Sequence, residues 1–146
     1  MSPRNTEFTV DASSSDRVVL QRPAALRELN GLRAMLGEWL SNHAIIGEMA
    51  EEQTVVLSEL VTNAVEASPP SSSITVRWAI DRDDVFISVQ DEGFGFTYEA
   101  AEQVPPSAAR GRGLSIVAAL TDRVDVVVES QRTTVAARTH LRRSEQ

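Results

Sequence analysis

Cysteine is absent from this sequence of 146 residues, so neither disulfides nor thiolate metal sites hold it together, and the redox state of its surroundings is left open. Lysine is absent as well. All 14 basic residues are arginine, which excludes a Walker-type phosphate lysine, a strand lysine of the protein-kinase kind and Schiff-base chemistry. Any nucleotide phosphates must therefore be held by backbone N–H groups, arginine and metal. No apolar run approaches the roughly 20 residues that span a bilayer, and the first residues lack a basic-then-apolar signal pattern. The expectation is a cytoplasmic protein with no membrane segment. Positive charge is also short: the formal net charge of -7 argues against nucleic acid as a direct partner, because phosphate backbones reward clustered basic residues. The cluster Arg138, Arg142 and Arg143 reads as a solvated end.

The length fits one domain with a core of its own. Residues 1–15 are expected to form a flexible N-terminus with a β-prone patch at 8–10, and Val18 to Leu20 is a second short β-prone run before Pro23. Over 24–43, Leu26, Leu29, Leu32, Leu36, Trp39 and Leu40 recur at a spacing of three to four, which predicts an amphipathic helix despite Gly31 and Gly37. His43 falls at its end, where a cation suits the helix dipole and no catalytic pattern surrounds it. A second helix is predicted over 48–67, stopped by Pro69 and Pro70. Alternating residues then predict a hairpin of strands at 74–80 and 85–90 around the polar turn Asp81-Arg82-Asp83-Asp84. A short helix is expected at 98–103, a helix opening at Gly111-Arg112-Gly113, and two closing strands near 124–129 and 134–141.

Three stretches carry chemistry. In the second helix, Leu57, Leu60, Val61, Ala64 and Val65 define a buried face, while Glu59 and Asn63, four apart, share another. A base and a metal-binding amide then point the same way. Taken alone, the stretch is better described as a surface helix with two ordinary polar residues. Asp91-Glu92-Gly93-Phe94-Gly95 ends a strand; its carboxylate suits the exocyclic amine of adenine, and Gly93 and Gly95 permit close backbone approach. The same pattern also makes a plain tight turn. Arg110-Gly111-Arg112-Gly113-Leu114 offers unpaired N–H groups, a positive helix end and two arginines to an anion, or else a simple helix start with solvated side chains.

In this order the three stretches resemble the N box, G1 box and G2 box of the GHKL ATPase superfamily, over roughly residues 24–140. The resemblance implies the Bergerat fold: an α/β two-layer sandwich of α+β type, with a mixed, mostly antiparallel sheet and helices on one face. It implies an ATP-binding kinase domain at 16–142 and a tail at 143–146. It also implies roles for single residues. Glu59 would be the general base, Asn63 the Mg²⁺ ligand, and Asp91 the adenine reader. Gly93 and Gly95 would form the turn beside the base, and Arg110, Gly111, Arg112, Gly113 and Leu114 the hinged lid over the phosphates. Thr133, placed just before the last strand, would stand near adenine, although Arg132 occupies a position where glycine is common. Many relatives carry a histidine four residues after the asparagine; here that residue is Ala67. Within the superfamily the sequence is similar to the stand-alone anti-sigma factor and serine-protein kinase group. That similarity implies ATP and Mg²⁺ as cofactors, a sigma factor and a small anti-anti-sigma (STAS-type) protein as partners, and a homodimer. A module that binds ATP and sequesters its partner without phosphoryl transfer is the alternative.

Overall fold

The computed structural model describes residues 16–92 and 109–142, the side chains of 109–113 excepted. The expected flexible segment at 1–15, the patch at 8–10, Gly93, Gly95, the short helix at 98–103 and the tail at 143–146 lie outside the described residues.

Strands β1 (Arg17–Pro23), β2 (Ser73–Asp81), β3 (Asp84–Asp91), β4 (Arg123–Glu129) and β5 (Arg132–His140) form one sheet in the order β1-β2-β3-β5-β4. Every pairing among the described residues is antiparallel. The period-two pattern explains why one face is buried. Ile74, Val76 and Trp78 of β2, Val85, Ile87 and Val89 of β3, and Val135 and Ala137 of β5 all point inward. The β2–β3 hairpin closes through Arg82 and Asp83, with Arg82 at a φ of 61°, a left-handed conformation that helps the tight reversal match the strand twist.

Helices α1 (Leu29–Asn42), α2 (Gly47–Ala67) and α3 (Ala109–Leu120) cover the inward face. In α1 the buried residues are Leu32, Leu36, Trp39 and Leu40, a single stripe at helical spacing. Its first expected turn is instead a 3₁₀ turn at Leu26–Glu28, since the chain leaves β1 through Pro23 and is pinned by Ala24 N–H donating to the Ser72 carbonyl at 2.9 Å. In α2, Val56, Leu57, Leu60, Val61 and Ala64 are buried. This helix packs on β3 and against both other helices, so it is the centre of the helical layer.

Gly31 lies inside α1 with open space where a Cβ would stand. Alanine there reduces the unfolded chain's freedom and suits the helix. Gly31→Ala is expected to raise stability by about 0.5–1 kcal/mol, read as a higher denaturant midpoint at unchanged slope.

Candidate functional site

Asn63 of α2 and Asp91 and Thr133 at one end of the sheet are buried polar residues, and Glu59 of α2 is half-buried. Asn63 is turned toward the interior by the same spacing that buries Leu60 and Ala64, and it is 3% exposed. Its side-chain Nδ2 finds no hydrogen-bond partner among the described residues. A buried amide donor left unmatched costs about 1–3 kcal/mol. Glu59, one helical turn earlier, is half-buried. Burial, and secondarily the charge of Glu66, push its carboxyl above the usual glutamate range.

Asp91 is the last residue of β3 and shares the inward phase of Val85, Ile87 and Val89, so its carboxylate faces the helical layer and is fully buried. Thr133 lies directly opposite it on β5, also fully buried, and its hydroxyl Oγ1 has no partner among the described residues. Opposed residues of an antiparallel pair hold their Cβ atoms about 4.5–5.5 Å apart. The sequence placed Thr133 before the last strand, whereas β5 begins at Arg132. That earlier start is what gives Thr133 a fixed inward direction beside Asp91.

The helix expected to open at Gly111 begins at Ala109. Arg110, Gly111, Arg112 and Gly113 therefore belong to its first turns and not to a loop before it. The initial N–H groups of a helix have no intrahelical acceptor, so this end still offers donors to an anion. Leu114 is half-buried against the core and fixes α3 on the layer, which packs against α2. Gly93 and Gly95 lie outside the described residues. A cavity of about 600 Å³ lined by Pro69, Glu92, Glu129, Ser130, Gln131 and Arg132 opens at this end of the sheet. It adjoins Asp91 and Thr133 through their chain neighbours, without being lined by either.

The sequence reading did not single out Glu66. Its spacing of seven from Glu59 is two helical turns, which was the available signal that both carboxylates lie along one side of α2.

An open antiparallel sheet with helices on one face is the architecture of a GHKL-type sandwich. The chain belongs to the family described as the histidine kinase-like ATPase domain, which it matches over residues 22–139. It is 27% identical over 132 residues to the serine-protein kinase RsbW of Staphylococcus epidermidis, across 81% of this chain and 83% of that protein. Two solved structures share the fold. One is the RsbU and RsbW domains of Rv1364c from Mycobacterium tuberculosis, with a TM-score of 0.69 and 23% identity, covering 89% of this chain and 34% of that one. The other is the SiaB-SiaC complex from Pseudomonas aeruginosa, with a TM-score of 0.66 and 12% identity, covering 85% and 88%.

Proposed function

We propose that the chain binds ATP with Mg²⁺ and transfers the γ-phosphoryl group to a serine or threonine of a small anti-anti-sigma (STAS-type) protein, so that a sigma factor is held or released by partner switching. The observation that carries this reading is a set of buried polar residues: Asp91 and Thr133 are cross-strand partners at the end of β3, and Asn63 is buried on α2, the helix that packs on that strand and also carries the half-buried Glu59. The name of the Staphylococcus epidermidis relative supports the serine-kinase part. A homodimer and a cytoplasmic setting belong to the same proposal; no described helix is long and apolar enough to cross a membrane.

Each residue has a task in this chemistry. Asp91 accepts from the exocyclic amine of adenine, with the Thr133 hydroxyl beside it. Asn63 fits a Mg²⁺ site through its side-chain amide oxygen, a ligand of the hard type this ion prefers. When bound, the ion neutralises charge on the transferred phosphoryl group. Glu59 orients the partner's hydroxyl and takes its proton as the new oxygen–phosphorus bond forms. The bond from the γ-phosphorus to the bridging oxygen breaks, and ADP leaves.

Incubation with radiolabelled ATP and a small STAS-type protein tests the reading. Label on a serine or threonine supports it. Nucleotide binding without label leaves the binding-only module, and absence of binding ends both. Asn63→Ala is expected to weaken nucleotide affinity about 10-fold in the presence of Mg²⁺ and little in its absence, as read by titration calorimetry. Equal affinities would remove Asn63 from the metal.

The proton-accepting role has a pH signature. Glu59 must be ionised to act, and its carboxyl lies above the ordinary range through burial and then Glu66. Transfer is expected to fall on the acid side at a higher pH than an ordinary glutamate would set. Glu66→Gln removes the like charge and shifts that limb to lower pH, while burial keeps it above the ordinary value. The stability consequence has the matching sign. The neutral form is favoured in the fold, so the stabilisation is complete below the unfolded-state pKa and is lost as pH rises through the raised folded one.

A further inference from the structure

Strand β4 is an edge of the sheet, with β5 on one side and no described strand on the other. Its sequence, Arg123-Val124-Asp125-Val126-Val127-Val128-Glu129, holds four valines and no proline, yet it is the one strand of the five in which no residue is buried. Val124 and Val126 are half-buried, and Val127 and Val128 are 47% and 39% exposed. The opposite edge is better protected: β1 ends in Pro23, which has no N–H to offer, and its Val18 and Leu20 are buried. A valine-rich edge with open N–H and C=O groups is a template for another strand.

The charges of β4 select what that strand is. Arg123 lies opposite Arg138 on β5, a like-charge pair that is destabilising directly across a ladder, while its Nε reaches Asp125 of its own strand at 3.0 Å. Glu129 stands at the far end of the same face, since 123, 125, 127 and 129 alternate with the inward 124, 126 and 128. Two copies of β4 paired antiparallel about a two-fold axis perpendicular to the sheet keep like faces together, so the axis must pass through a residue. An axis at Asp125 sets that carboxylate against itself, and an axis at Val127 sets Asp125 against Glu129. An axis at Val126 sets Arg123 against Glu129 twice, Asp125 against Val127 and Val124 against Val128, and it alone pairs all seven residues.

We propose that β4 is a self-recognition edge: two copies of this chain join β4 to β4 antiparallel, with Val126 on the two-fold axis, into one continuous sheet of ten strands, five from each copy. Each Arg123 then has a Glu129 across the join to offset the like charge of Arg138 on its other side. The valines at 124, 126 and 128 form a ladder on the helical side of the sheet, where they are now incompletely covered. The contact is isologous and closes on itself, so it gives a dimer and not a fibre. It supplies the interface of the homodimer put forward above, resting on that homodimer and on neither nucleotide binding nor phosphoryl transfer.

The full chain has no cysteine, so a single introduced thiol reports the register. Treatment of Val126→Cys with a short bis-methanethiosulfonate is expected to give a covalent dimer, because the two thiols stand opposite each other with Cβ atoms about 4.5–5.5 Å apart. Val128→Cys sets its two thiols about 13 Å apart along the join and is expected to stay uncoupled. Light scattering of the unmodified chain is expected to give twice the 15.9 kDa of one copy. Arg123→Glu and Glu129→Arg each place like charges across the join twice and are each expected to raise the dissociation constant about tenfold, while the double variant restores it. A monomer at every concentration would overturn this interface and the homodimer together. A dimer in which Val126→Cys couples no better than Val128→Cys, or in which the double exchange fails to restore association, would overturn the β4 interface and leave the homodimer standing.

Discussion

Glu59→Gln is expected to leave ATP affinity within about twofold and to lower phosphoryl transfer by about 10²- to 10⁴-fold, the usual worth of a positioned acid or base. The side chain is half-buried on α2, so glutamine keeps its volume and packing while losing the ability to accept the hydroxyl proton. The ionised carboxylate is disfavoured there by burial and then by Glu66. The neutral amide therefore does not weaken the fold, and a thermal melt at or above the wild-type midpoint separates lost chemistry from lost structure. Transfer at the wild-type rate would take Glu59 out of the mechanism. A matching loss of ATP affinity would make it a binding residue instead.

Asp91→Asn is expected to weaken ATP binding by about 10- to 150-fold, corresponding to about 1.5–3 kcal/mol for a hydrogen bond to a charged group. The carboxylate is fully buried at the end of β3, opposite Thr133. Asparagine keeps the shape but removes the charge, and it places an N–H₂ donor where one oxygen stood, against an adenine amine that is itself a donor. The loss should be large for ATP and small for GTP, which has an oxygen at that place on its ring. Isothermal titration of both nucleotides distinguishes a reader of the base from a residue that merely supports the strand. Equal affinity for ATP in the variant would refute the assignment.

Much of the architecture could be read from the sequence because its elements are locally consistent. The apolar stripes of α1 and α2 recur at helical spacing, and β2 and β3 alternate strictly around a polar turn. Boundaries depended on contacts distant in sequence. Strand β1 runs from Arg17 to Pro23, beyond the apolar run at Val18 to Leu20, since pairing with β2 carries its polar residues into the ladder. The N-terminal turn of α1 became 3₁₀ because Ala24 is tied to Ser72.

The site was legible in a similar proportion. The spacing of four predicts Glu59 and Asn63 one turn apart on a side away from the apolar stripe, whereas Asn63 is buried with Leu60 and Ala64 and Glu59 is only half-buried. The adjacency of Asp91 and Thr133 was not visible in any spacing, because it arises from the register of two strands with α3 and β4 between them in the chain. The effect of Glu66 on Glu59 required knowing how deeply that side of α2 is buried.

The central claim is that these four residues converge on one nucleotide. A crystal structure of the chain grown with Mg²⁺ and a non-hydrolysable ATP analogue tests it most directly. The account predicts the adenine amine on Asp91 beside Thr133, Asn63 at the metal, and the γ-phosphate nearest Glu59. A nucleotide seated elsewhere on the molecule, with Asp91 and Asn63 out of reach of it, would contradict the account.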